Sequence, residues 1–161
     1  MRWTTRPGKL RADRPGGTAA CYNGRGSNGL NAVRFKGVRM PERVVRGVRG
    51  AITVADNTAD AILEATAQLL TALQAANHFD VEDVVSAVFT ATPDLNAAFP
   101  ATAARNLGWT RTPLLCAVEM AVPDALPRCV RVLVHVHAAR PAQAMRHVYL
   151  RGATVLRPDL P

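Results

Sequence analysis

Cysteine and aromatic residues are scarce in this 161-residue chain, which has three Cys, two Trp, two Tyr and four Phe. Cys21, Cys116 and Cys129 form no CxxC pair and no metal-ligand spacing. An odd, sparse count speaks against a disulfide framework and for a reducing cytoplasm. No apolar run approaches the roughly 20 residues that cross a bilayer, so no membrane partner is expected. A phosphate-cradling loop is missing too, because Gly24-Arg25-Gly26 follows no strand. His135 and His137 share one strand face without a third ligand near them in sequence, so neither a metal nor another cofactor is expected. Cys116 has no His–Asp partner in view that would make it a nucleophile. What remains, 48% hydrophobic and 20% charged, is the composition of one ordinary globular domain.

Acidic residues are missing from one stretch in particular. Residues 1–39 carry nine Lys or Arg and a single acid, Asp13, whereas residues 40–161 carry eleven charges of each sign. The whole net charge of +8 therefore belongs to the first quarter of the chain. No nucleic-acid face is expected on the remainder. The basic stretch lacks sustained apolar periodicity and is rich in Gly, Arg and Pro, as in Arg14-Pro15-Gly16-Gly17. Such a composition buries too little apolar surface to offset ordering entropy, and disorder is expected over 1–39. It also lacks the apolar region of a secretory signal. The simplest expectation is that Met40 is the natural start and residues 40–161 form the domain.

From Val44 the pattern changes. Val44–Val54 reads as a strand, and Asn57 or Thr58 caps a helix running to about Asn77. Ile62, Thr66, Leu69, Leu70 and Leu73 fall on one helical face, with Asp60, Glu64 and Gln68 off it. Val84–Thr90 is a strand-like run, and a short helix over Ala101–Asn106 closes at Gly108. Pro113–Met120 and Arg128–Ala138 read as strands, the second alternating Val132, Val134 and Val136 against Cys129, Arg131, Leu133, His135 and His137. A helical turn after Pro141 leads to a last strand, His147–Leu156. This order predicts an α+β fold, a mixed sheet with helices on one face. Trp109 is expected in the core.

Charges stand where strands are expected: Arg49 in the first, Glu119 near the end of the third, Arg131 in the longest, and Arg157 just past the last. A buried, unpaired charge costs several kcal/mol. Any one of these is accounted for by a solvent-facing position or by a structural Glu119–Arg131 pair. As a set they suggest a shared anion site, because arginines on neighbouring strands can converge and grip carboxylates bidentately.

Several blocks in order then resemble one family. They are Val45-Arg46-Gly47-Val48-Arg49-Gly50-Ala51, Ala91-Thr92-Pro93-Asp94-Leu95, Phe99-Pro100-Ala101, Cys116 with Glu119-Met120, Cys129-Val130-Arg131-Val132, Arg146-His147-Val148-Tyr149-Leu150 and Val155-Leu156-Arg157-Pro158-Asp159-Leu160. Together they closely resemble the AroH-type chorismate mutases from about Val44 to Pro161. The resemblance implies a homotrimer packed as a pseudo-α/β-barrel, with active sites between subunits that turn chorismate into prephenate. It implies that Arg49 and Tyr149 hold a substrate carboxylate, that Arg131 faces the ether oxygen, and that Glu119 accepts from the ring hydroxyl. Cys116 would contact the same region. Phe99, Ala101, Leu115 and Leu156 would line the pocket, with Thr102, Arg105 and Arg157 at its mouth. Thr102 stands where the family often has lysine, and Arg105-Asn106-Leu107-Gly108-Trp109 is one residue shorter than the family pattern. Two other readings stay open: an imine or enamine deaminase of the RidA-like group, by fold analogy, and a non-catalytic binding protein using its basic leader.

Overall fold

The structure is a computed structural model, and it describes residues 43–159. The disorder expected over 1–39 lies outside the described residues. Five strands form one mixed sheet: β1 (Val44–Thr53), β2 (Val84–Ala91), β3 (Leu114–Val118), β4 (Cys129–Ala138) and β5 (Val148–Leu150). Their spatial order is β3-β2-β4-β1-β5. The central strand β4 runs antiparallel to both β1 and β2, while β2–β3 and β1–β5 are parallel. Two helices, α1 (Ala59–Asn77) and α2 (Pro100–Asn106), join these strands and share one core with the sheet.

Local chemistry accounts for the element ends. The Thr58 side chain accepts from the Ala61 N–H and caps α1, whereas Asn57 accepts from the Asn96 and Ala97 N–H groups and pins a loop. At the other end His78 adopts a left-handed conformation and its N–H closes on the Gln74 carbonyl. Ile62, Thr66, Leu69, Leu70 and Leu73 are all fully buried, as their spacing predicts. They pack on Val48 and Ile52 of β1 and on Val130, Val132, Val134 and Val136 of β4. Trp109 is fully buried and meets Phe79 edge to face at 6.4 Å between centroids. Buried Asn77 clamps the end of α1 to the segment before β5, donating to the Leu73 and Arg146 carbonyls and accepting from the Arg146 N–H.

One expected element is corrected. The last strand does not run from His147 to Leu156; it is three residues long, Val148–Leu150, followed by a 3-10 helix over Arg151–Leu156. β5 pairs only with Gly50–Ile52, and β1 ends at Thr53. Beyond that point there is no backbone ladder to join. Arg151 turns into the left-handed region with φ 54°, and the Gly152 N–H instead donates to the Thr53 hydroxyl at 3.0 Å. Leu156 and Arg157 are thereby folded back over the sheet edge.

Candidate active site

Because alternate residues point to opposite faces, covering one face with helices leaves the other open. Strand register then determines what stands beside what on the open face. Ala51 pairs with both Tyr149 and Arg131, and Arg131 pairs with Thr90 across β4. Tyr149, Ala51, Arg131 and Thr90 therefore form one row across four strands. The next row runs from Arg49 through Leu133 to Val88. All of these, with Leu156 and Arg157 from the 3-10 helix and its end, line a cleft of about 470 Å³. That volume suits a small-molecule ligand.

Glu119 enters the same row from the far side. Its N–H donates to the Ala91 carbonyl at 3.0 Å, one step past the β2–β3 ladder. Its carboxylate accepts from the Thr90 hydroxyl at 2.6 Å and stands 3.3 Å from Arg131 Nη1. Arg131 lines the cleft, and its buried Nε has no hydrogen-bond partner among the described residues. The guanidinium is thus anchored at one nitrogen and unsatisfied at another.

Ala51 of this row forms a small buried apolar cluster with Cys129 and Ala153, against which Tyr149 and Leu156 pack. It holds both side chains at the cleft edge. Burial raises the Cys129 thiol above its ordinary range. At the mouth, the Arg49 backbone N–H donates to His147 Nδ1 at 3.1 Å. Partial burial, then the neighbouring Arg49 and Arg157, hold the His147 imidazole below its usual pKa. A neutral His147 keeps the lone pair that this hydrogen bond requires and adds no third cation beside Arg49 and Arg157.

Sequence-predicted residues fall into two groups. Arg49, Glu119, Arg131, Tyr149, Leu156 and Arg157 come together at the cleft. Phe99, Ala101, Thr102, Arg105 and Leu115 are not part of its lining. Phe99 precedes α2 and is 73% exposed; Leu115 lies on edge strand β3 and is 61% exposed. Cys116 pairs in register with buried Phe89 and packs partly against the core, on the helix-covered face. The cleft also contains residues the sequence reading missed: Thr90, Val88 and Leu133. No motif marks Thr90, because its significance comes only from lying opposite Arg131. His135 Nδ1 stands 3.0 Å from the Ser86 hydroxyl, to which it is hydrogen-bonded.

Known proteins share this arrangement of sequence and fold. Residues 45–160 match the profile of the family described as chorismate mutase type I. Chorismate mutase AroH of Thermus thermophilus is 50% identical over 118 residues, 73% of this chain and 97% of that protein. Its counterpart from Bacillus subtilis (strain 168) is 48% identical over 118 residues, 73% of this chain and 93% of that protein. A solved structure, the chorismate mutase from Clostridium thermocellum Cth-682, superposes with a TM-score of 0.67 at 49% identity. The match covers 68% of this chain and 97% of that one.

Proposed function

The chain belongs to the chorismate mutase type I family, and from that premise we propose how its open sheet face performs the reaction. The protein is a chorismate mutase, an isomerase of aromatic amino acid biosynthesis, that converts chorismate to prephenate. The rearrangement is concerted, with a carbon–oxygen bond breaking as a carbon–carbon bond forms. No proton must move and no nucleophile attacks. The protein's task is to hold the dianion in its compact reactive shape and to stabilise the charge that separates.

The row of Tyr149, Arg131 and Thr90, with Glu119 bridged to both Thr90 and Arg131, is the observation that carries this reading. Arg131 meets the ether oxygen as it gains negative charge, using a planar guanidinium that Glu119 holds in place. Glu119 accepts from the ring hydroxyl and stabilises positive character on the ring. Arg49, with Tyr149, grips one carboxylate, and Arg157 receives the other at the mouth. Because the contacts of Arg131 and Glu119 strengthen as charge develops, they raise the rate, whereas the carboxylate grips bind and orient the dianion.

Phe99, Ala101, Thr102, Arg105 and Leu115 complete the site from a neighbouring copy in a homotrimer, whereas Cys116 packs toward its own core. Supporting this are the large exposure of Phe99 and Leu115 and their absence from the cleft's lining. Residues 40–161 make up the catalytic unit, a reading supported by the profile match over 45–160. Among the described residues no helix is long and apolar enough to cross a membrane. Cys116 and Cys129 are free thiols, which fits our assignment of the enzyme to the cytoplasm.

The test is chorismate consumption by the purified chain, with prephenate identified as product. Arg131→Ala should lose several kcal/mol of transition-state stabilisation, roughly a thousandfold in kcat/KM or more. Arg131→Lys should recover only part of that, since an ammonium replaces a planar fork. Near-normal turnover by Arg131→Ala would overturn the electrostatic account. Absence of any conversion by the wild-type trimer would overturn the assignment itself.

A further inference from the structure

We propose that Asp159 is an internal competitor of the substrate, occupying the Arg157 guanidinium that receives a substrate carboxylate and releasing it when the substrate binds. The inference rests on the reading of the cleft given above. Arg157 lines the cleft, yet its Nε and Nη2 already donate to the two carboxylate oxygens of Asp159, at 2.8 and 2.6 Å. This is the two-point geometry in which a guanidinium grips any carboxylate. An incoming carboxylate that grips Arg157 by this edge must displace Asp159.

Charge balance points the same way. Three guanidiniums, Arg49, Arg131 and Arg157, face the cleft, and the Glu119 carboxylate stands against one of them. Asp159 on Arg157 cancels one positive charge at the mouth; its release restores that charge for a dianionic substrate.

The pair is also built to break. Its partners are two residues apart, across Pro158, so forming or releasing it moves little chain. The Asp159 side chain is 59% exposed, and once released it is hydrated at once. Hydrogen bonds from Arg157 hold its carboxyl down to about 2. It therefore remains an anion, and a competitor, throughout the pH range in which an enzyme works.

Asp159→Asn removes the charge and keeps the size. The expected result is a fall in KM for chorismate by about two- to fivefold, the scale of an exposed ion pair. Inhibition by an unreactive dicarboxylate, 1,3-benzenedicarboxylate, should tighten by a similar factor, with kcat held within about twofold. Placed on an Arg157→Ala background, the same substitution should change neither quantity, because the contested guanidinium is gone. An unchanged or raised KM for Asp159→Asn would overturn the proposal; a rise would mean that Asp159 orients Arg157 for the substrate. A fall of equal size on the Arg157→Ala background would also overturn it, leaving only general charge repulsion. Calorimetric titration with the dicarboxylate reads the same competition without turnover. A wild-type enzyme that binds it in this way yet leaves chorismate unchanged would refute the functional reading and not the competition.

Discussion

Thr90 holds Glu119 by a 2.6 Å hydrogen bond while Arg131 draws the same carboxylate from 3.3 Å away. Two different groups thus set the direction of one carboxylate. Glu119→Gln keeps the shape and removes the charge, whereas Thr90→Val leaves the charge and removes the clamp. A hydrogen bond to a charged partner is worth about 1.5–3 kcal/mol. Thr90→Val should accordingly lower kcat by about tenfold or more, with a smaller effect on KM, as steady-state kinetics would show. An unchanged kcat would mean that Arg131 alone positions Glu119. At this scale the sequence was informative about charge and mute about partners. Arg49, Glu119 and Arg131 stood out because charges in strands demand an explanation. Thr90 is an ordinary strand residue until β2 is laid beside β4, and Cys116 offered no sign of which face it would take.

Gly50 shows how an element's packing reaches the site. Its position on β1 faces α1, one residue from Arg49 and one from Ala51. A Cβ there would stand 2.9 Å from Leu73 Cδ1, 3.0 Å from Leu69 Cδ1 and 3.2 Å from the Val148 carbonyl oxygen. The leucine ends can shift, but the Val148 carbonyl belongs to the short β5 that carries Tyr149. Gly50→Ala should destabilise the fold by about 1–3 kcal/mol through overpacking. Chemical denaturation measures that loss. The substitution should also raise KM, because β5 and Tyr149 move with the strained contact. Wild-type stability in this variant would show that α1 lies further from the sheet. At the element scale periodicity was nearly sufficient: α1 was readable from its buried stripe and β4 from its alternation. The last strand was misread because Val148–Leu156 is apolar enough for either state. Its length was decided by where β1 ends, a tertiary fact.

At the scale of the whole molecule, the proposed site draws on two surfaces that one chain keeps apart. Arg131→Ala disables the sheet face and leaves the α2 side intact, and a Phe99→Ala/Arg105→Ala double variant does the reverse. Denatured together and refolded, the two should form mixed trimers in which some sites combine an intact face with an intact α2 side. Activity should then exceed the sum of the separately refolded variants, and sedimentation should show trimers. A mixture no more active than its parts would place every functional residue within one chain.

The amino-acid sequence by itself determined the elements apart from the last strand, the buried stripe of α1, the α+β class and the unusual run of strand-borne charges. Periodicity and charge are local properties, and local chemistry reveals them. Only the tertiary structure decided which face each strand turned to the helices, and therefore that Tyr149, Arg131 and Thr90 stand in one row with Glu119 bridged to it. It also decided that Asp159 grips Arg157 at the cleft mouth. Register is set by the packing of one whole face, and a shift of a single residue would have sent every one of those side chains into the core.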